Sequence, residues 1–119
     1  MSSQTPLLET SSHHARFVIS NQDKYFFAAY WHLMDLVEIG NMDLITNALK
    51  EINKSIESVG VLSLDSSSIK WMEYILSFIG GFAQDLNSRY FLSQKADLMA
   101  QLEMLELLYK LASKSFTEI

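Results

Sequence analysis

The stretch Tyr25-Phe26-Phe27-Ala28-Ala29-Tyr30-Trp31-His32-Leu33-Met34 holds more large apolar side chains than one face of a helix can bury. A surface helix of a globular protein needs an apolar stripe of only about 100°. This run spreads over most of the helix circumference, which predicts a helix covered from several sides: the central helix of an all-α protein.

Upstream, the chain from Ser2-Ser3-Gln4-Thr5-Pro6 through Thr10-Ser11-Ser12-His13-His14 is polar and aperiodic. Such a stretch lacks the apolar surface needed to offset the entropy of ordering, so residues 1–20 are expected to form a flexible N-terminal tail. Phe17-Val18-Ile19 reads as a short lead-in, with Ser20 or Asn21 as helix cap. Residues 21–119 are read as a single helical-bundle domain.

Downstream, Gly40-Asn41 stops the first helix, predicted from about Gln22 to Ile39, because glycine accepts the left-handed conformation that ends helices. Met42, Ile45, Ala48, Leu49, Ile52, Ile56 and Val59 then recur at intervals of three and four, giving a one-sided amphipathic helix that ends at Gly60. So short a connection predicts an antiparallel hairpin. Asp65-Ser66-Ser67-Ser68 offers side-chain oxygens to the free amides of a third helix. Its apolar positions, from Ile69 to Leu86, cover a wide arc and make it a second central helix. Gly80-Gly81 inside it predicts a bend or a close helix crossing. After a junction at Asn87 to Leu92, Ser93 is the expected cap of a fourth helix. Leu98, Leu102, Leu105, Tyr109, Ala112 and Phe116 alternate by four and three, the seam of bundle packing, and Met104, Leu107, Leu108 and Leu111 widen it. That breadth predicts contact with two helices, or with one helix and a partner. The fold class is therefore all-α, a small antiparallel bundle of about four helices. The hairpin with its glycine turn is loosely similar to a tetratricopeptide unit. The small residues of that family would fall here on Leu33, Ile45 and Ile52, so no function is carried over from it.

Composition narrows the function classes. The 119 residues are 49% hydrophobic and 19% charged, against about 25% charged in a typical soluble domain. A chain of this length buries roughly 65% of its unfolded surface, enough for one core without metals or disulfides. The net charge of −5 is spread along the chain. No segment concentrates Lys and Arg on one face as a nucleic-acid binder does, and no nucleic acid is expected. The longest apolar run, Ile69 to Phe82, is interrupted by Lys70, Glu73 and Gly80-Gly81, short of the ~18 residues of a spanning helix. Residues 1–20 lack a basic segment followed by an apolar core, which predicts no secretory signal. The absence of cysteine fits a reducing compartment, and a cytoplasmic location is expected.

Chemistry-bearing patterns are sparse. His32 and Asp35 share a face of the first helix and Glu38 is rotated well away; a dimetal centre needs a second ligand pair from another helix, and of Asp43, Glu51, Glu57, Glu73 and Asp85 on the next two helices none has a histidine three residues away. No nucleophile stands beside a histidine base at a strained turn. Neither catalysis, nor a metal, nor a cofactor is expected. What remains is apolar surface. Tyrosine and tryptophan concentrate at binding hot spots because each joins a large buried area to a polar handle. The expectation is a small non-enzymatic interaction module, such as a dimeric adaptor, regulatory subunit or partner-specific chaperone, working as a homodimer or on another protein. Its interface candidates are Tyr25, Tyr30, Trp31, Tyr74, Tyr90, Leu98, Leu102, Leu105 and Tyr109. Two alternatives stay open: an acidic inhibitor resembling an immunity protein or antitoxin, and a bundle that takes a small apolar ligand between its helices.

Overall fold

The computed structural model describes residues 22–86 and 92–117. Its elements in chain order are α1 (Gln22–Ile39), α2 (Met42–Val59), a 3-10 turn (Val61–Ser63), α3 (Ser66–Asp85) and α4 (Leu92–Thr117). The predicted all-α bundle of four helices is what the chain forms. The expected tail and its Phe17-Val18-Ile19 lead-in lie outside the described residues, as does most of the junction before α4, Tyr90 included.

Local chemistry sets the helix ends. Gly40 takes φ +82°, and its N–H donates to Leu36 O at 2.9 Å, closing α1. Asn41 then caps α2, its Oδ1 accepting the Leu44 N–H at 3.1 Å. Gly60, at φ +95°, ends that helix with its N–H on Ile56 O. Asp65 accepts the Ser68 N–H at 2.8 Å and starts α3, as the run of short polar residues predicts. Ser93, the expected cap of the fourth helix, lies within α4, which is described from Leu92 onward.

The helices form a closed ring. α1 packs against α2 and α3, and α4 packs against the same two helices and the 3-10 turn, so α1 and α4 occupy opposite corners. The Cα envelope measures 43 × 42 × 18 Å. Packed helix axes lie about 8–10 Å apart, so its thin direction holds two helix layers. No helix of a two-layer ring is enclosed on every side. The central position expected for α1 and α3 is therefore not what the structure shows: each has two helical neighbours and one open face.

The core is built from all four helices. Phe26 and Leu33 of α1, Ile45, Leu49 and Ile56 of α2, Met72, Ile75 and Ile79 of α3, and Leu98 and Leu105 of α4 are essentially inaccessible to solvent. Polar groups are buried at two places. Gln22, Ser63, Asp65 and Ser68 form a network where α1 meets the start of α3. Asn53 of α2 donates to Gln101 O and Gln101 Oε1 of α4, at 3.1 and 3.0 Å, while its own Oδ1 has no partner among the described residues. Gly80 and Gly81 continue α3 without interruption, and a Cβ built on either meets nothing within 4 Å. The close crossing expected at these glycines is absent, because both lie away from the contacts that α3 makes.

Candidate functional site

Phe27, Tyr30 and Trp31 leave α1 toward Trp71, Tyr74 and Phe78 of α3, and the six rings form one connected group. Trp71 is its hub, with ring centroids 5.3 Å from Phe27, 5.5 Å from Tyr30 and 5.4 Å from Tyr74. Trp31 lies edge-on to both Phe27 and Tyr30, and Phe78 extends the group 5.8 Å beyond Tyr30. Phe27–Trp31, Phe27–Trp71, Tyr30–Trp31 and Trp71–Tyr74 are edge-to-face, which sets positive ring edges on negative ring faces and adds about 0.5–1.5 kcal/mol per pair beyond area burial, while Tyr30 is tilted against Trp71 and Phe78. The rings are thereby held in place even where water reaches them.

Asp23 fixes the hub. Its Oδ1 accepts the Trp71 indole N–H at 3.1 Å and also the Ser67 hydroxyl. One carboxylate on the first turn of α1 thus orients an indole from the first turns of α3 and satisfies its single polar atom. The group is only partly covered: Phe27, Trp31 and Tyr74 are 48%, 49% and 47% exposed, while Tyr30, Trp71 and Phe78 are half-buried. The result is a flat, polarisable apolar surface with a carboxylate on its edge. Such a surface takes up apolar side chains, or a cation over a ring face. It carries no paired acid and base.

The candidates read from the sequence divide between this surface and the interior. Tyr30, Trp31 and Tyr74 meet in the aromatic group. Tyr25 does not; it is buried, lies edge-on to Phe26 at 5.1 Å, and donates its hydroxyl to Ser55 Oγ at 2.9 Å. Leu98, Leu102 and Leu105 face α2 and α3 and belong to the core, so they are taken up within the chain and not offered to a partner. Tyr109 is partly buried against the same core, and Tyr90 lies outside the described residues. The sequence reading left Phe27, Trp71 and Asp23 off the candidate list. Phe27 stands in the apolar run of the first helix and Trp71 on the apolar arc of the third, but nothing local links Asp23 to Trp71, 48 residues away.

His32, Asp35 and Glu38 are all solvent-exposed, and among the described residues no three His, Cys, Asp or Glu side chains converge to hold a metal ion. A shallow groove between α2 and α4 is lined by Asp43, Thr46, Asn47, Lys50, Asp97 and Gln101, polar throughout except for Ala100. Among the described residues no helix is long and apolar enough to cross a membrane.

Burial pushes the Tyr25 hydroxyl above the ordinary tyrosine range; the Ser55 hydrogen bond pulls the other way, and the negative charge of Glu51 adds to the rise. A raised value means that the unfolded chain releases this proton first. The contribution is fully present below pH about 10 and is lost as pH climbs from there through the folded-state value. Thermal melts between pH about 9 and 11 should therefore fall more steeply for the native chain than for Tyr25→Phe. Equal slopes would show that Tyr25 ionises as freely folded as unfolded. Compared with family models, curated proteins and solved structures, the chain has no match in any of the three.

Proposed function

We propose that this protein is a non-enzymatic interaction module whose aromatic face, across α1 and α3, docks another protein. The observation that carries this reading is that Phe27, Trp31 and Tyr74 stay about half exposed while Trp71, anchored by Asp23, packs edge-on against Phe27 and Tyr74, and Phe27 in turn against Trp31. Ordered, half-exposed aromatics lose little entropy on binding, and they bury a large area per residue. The carboxylate edge and the net charge of −5 favour a partner segment that presents apolar side chains beside Arg or Lys.

The double variant Trp31→Ala/Tyr74→Ala tests this. Both side chains are about half in water already, so the fold should keep its helicity while losing a partner held by the face. The measurement is capture from the native source by the wild-type chain and by the variant, side by side at low and high salt. Hot-spot residues of this kind contribute about 2 kcal/mol or more each, so a true partner should be depleted at least tenfold by the variant. Equal retention by the two chains would overturn the reading. Retention that collapses with salt for both chains alike would point to an acidic inhibitor. His32→Ala serves as control and is expected to bind as the wild type does.

A further inference from the structure

α4, which contributes no ring to the aromatic face, carries a second apolar seam. Its inner seam, Leu98, Leu102, Leu105, Leu108 and Ala112, is buried against α2 and α3. On the outer side Ala100, Met104, Leu107 and Leu111 follow at intervals of four, three and four, and all are exposed, Leu107 by 53%. Asp97 and Lys114 continue the same spacing at the two ends, and at the first of these Asp97 and Ala100 also line the groove shared with Asp43 and Lys50 of α2. Intervals of three and four are the a and d positions of a heptad, the pattern that pairs one helix with another. Glu103 and Lys110 then fall one residue before Met104 and Leu111, at the positions that flank such a seam.

We propose that a second copy of this chain docks antiparallel along this outer seam of α4. Charge selects the occupant and the direction. When Met104 of one copy is set against Leu107 of the other, Leu111 meets Ala100, and Asp97 meets Lys114 at each end. In the same register the flanking Glu103 faces Lys110 of the second copy, twice by symmetry. On α4 itself, each charged position of the seam and its near flank faces an opposite charge. A parallel pair would instead bring Asp97 onto Asp97 and Lys114 onto Lys114, and would set Glu103 beside the buried Leu108. The existing Glu106–Lys110 pair within the helix, 3.5 Å between exposed groups, holds Lys110 only weakly. The contact is self-complementary about a two-fold axis, as closed homodimers require. It uses a single helix face and so falls below the ~800 Å² per partner of a standard interface, which makes the association concentration-dependent. This inference is independent of the aromatic face.

The test is solution mass by light scattering from about 10 μM to about 1 mM, the range in which so small a contact associates. The mass should rise from 13.6 kDa toward twice that value. Leu107→Asp, at a solvent-exposed position, should keep the helicity and weaken association more than about tenfold. Glu103→Lys and Lys110→Glu should each weaken it about fivefold at low salt, and the double swap should restore it. The chain has no cysteine, so single introduced thiols report direction cleanly. Ala100→Cys mixed with Leu111→Cys should form the mixed disulfide, and Leu111→Cys alone should not dimerise. A monomer at every concentration, a dimer indifferent to Leu107→Asp, charge variants without rescue, or Leu111→Cys crosslinking to itself would each overturn the proposal.

Discussion

Leu105→Asp is expected to leave this chain unfolded, with helicity lost and no cooperative melt. Leu105 is inaccessible to solvent in the seam that α4 turns toward α2 and α3. A carboxylate there would be desolvated with no cation among the apolar groups around it, and the group either ionises at a penalty of several kcal/mol or takes up a proton and still lacks a partner. Either outcome consumes much of the 5–15 kcal/mol or so that a domain of this size has in total. Leu105→Ala removes the same packing without the charge and should lower stability by about 3–5 kcal/mol, a measurable but folded variant. Circular dichroism and urea titration of the two variants are the check. The result bears directly on the heptad leucines as interface candidates. If Leu98, Leu102 and Leu105 faced a partner, Leu105→Asp would give a folded monomer, and that outcome would move this seam from the core to the surface.

Gln22→Leu should lower stability by about 2–4 kcal/mol although it adds apolar volume to a buried site. The Gln22 amide is the meeting point of three backbone and side-chain groups. Its Nε2 donates to Ser63 O at 3.1 Å, and its Oε1 accepts both the Asp65 N–H at 3.1 Å and the Ser68 hydroxyl at 2.7 Å. A primary amide suits this place because it offers donors and acceptor lone pairs on one short, neutral group. Leucine offers neither, and Ser68, fully buried, would keep a hydroxyl with no acceptor from that side. Ser63 and Asp65 are exposed enough to turn to water, so the burden falls on Ser68. This predicts coupling: Ser68→Ala should recover about 1 kcal/mol or more in the Gln22→Leu background, compared with its effect alone. Additive losses in that double-mutant cycle would show that the two side chains act separately. The network matters beyond its energy because it ties the start of α1 to the start of α3, where Asp23 accepts both the Ser67 hydroxyl and the Trp71 indole N–H. Loosening it should broaden the aromatic face, and tryptophan fluorescence of Gln22→Leu should shift toward that of exposed indole.

The two apolar faces outside the core differ in kind. The aromatic face presents rigid rings with an acidic edge, whereas the outer seam of α4 presents flexible aliphatic side chains bounded by charges of both signs. The aromatic face is built from α1 and α3 and the outer seam from α4, so the two share no residue. A dimer joined through α4 would carry two aromatic faces, and a partner with repeated segments would bind it with avidity set by the span between them.

The sequence by itself determined the helices and their ends. Gly40, Gly60 and Asp65 act through φ angles and capping bonds that reach no further than four residues, and the spans Gln22–Ile39 and Met42–Val59 follow from them. It determined the fold class too, since four amphipathic or broadly apolar helices of this length can bury their surface only against one another. Tertiary structure alone decided which surface faces inward. On α4 the inner leucines and the outer Met104, Leu107 and Leu111 share the same three-and-four spacing, and spacing records that a helix has a neighbour without recording which neighbour. On α1 the apolar wrap implied enclosure, but a ring two layers thick covers two sides of each helix and leaves Phe27 and Trp31 in water. The link between Asp23 and Trp71 was likewise beyond the sequence, because it exists only where the ring brings the first turns of α1 and α3 side by side.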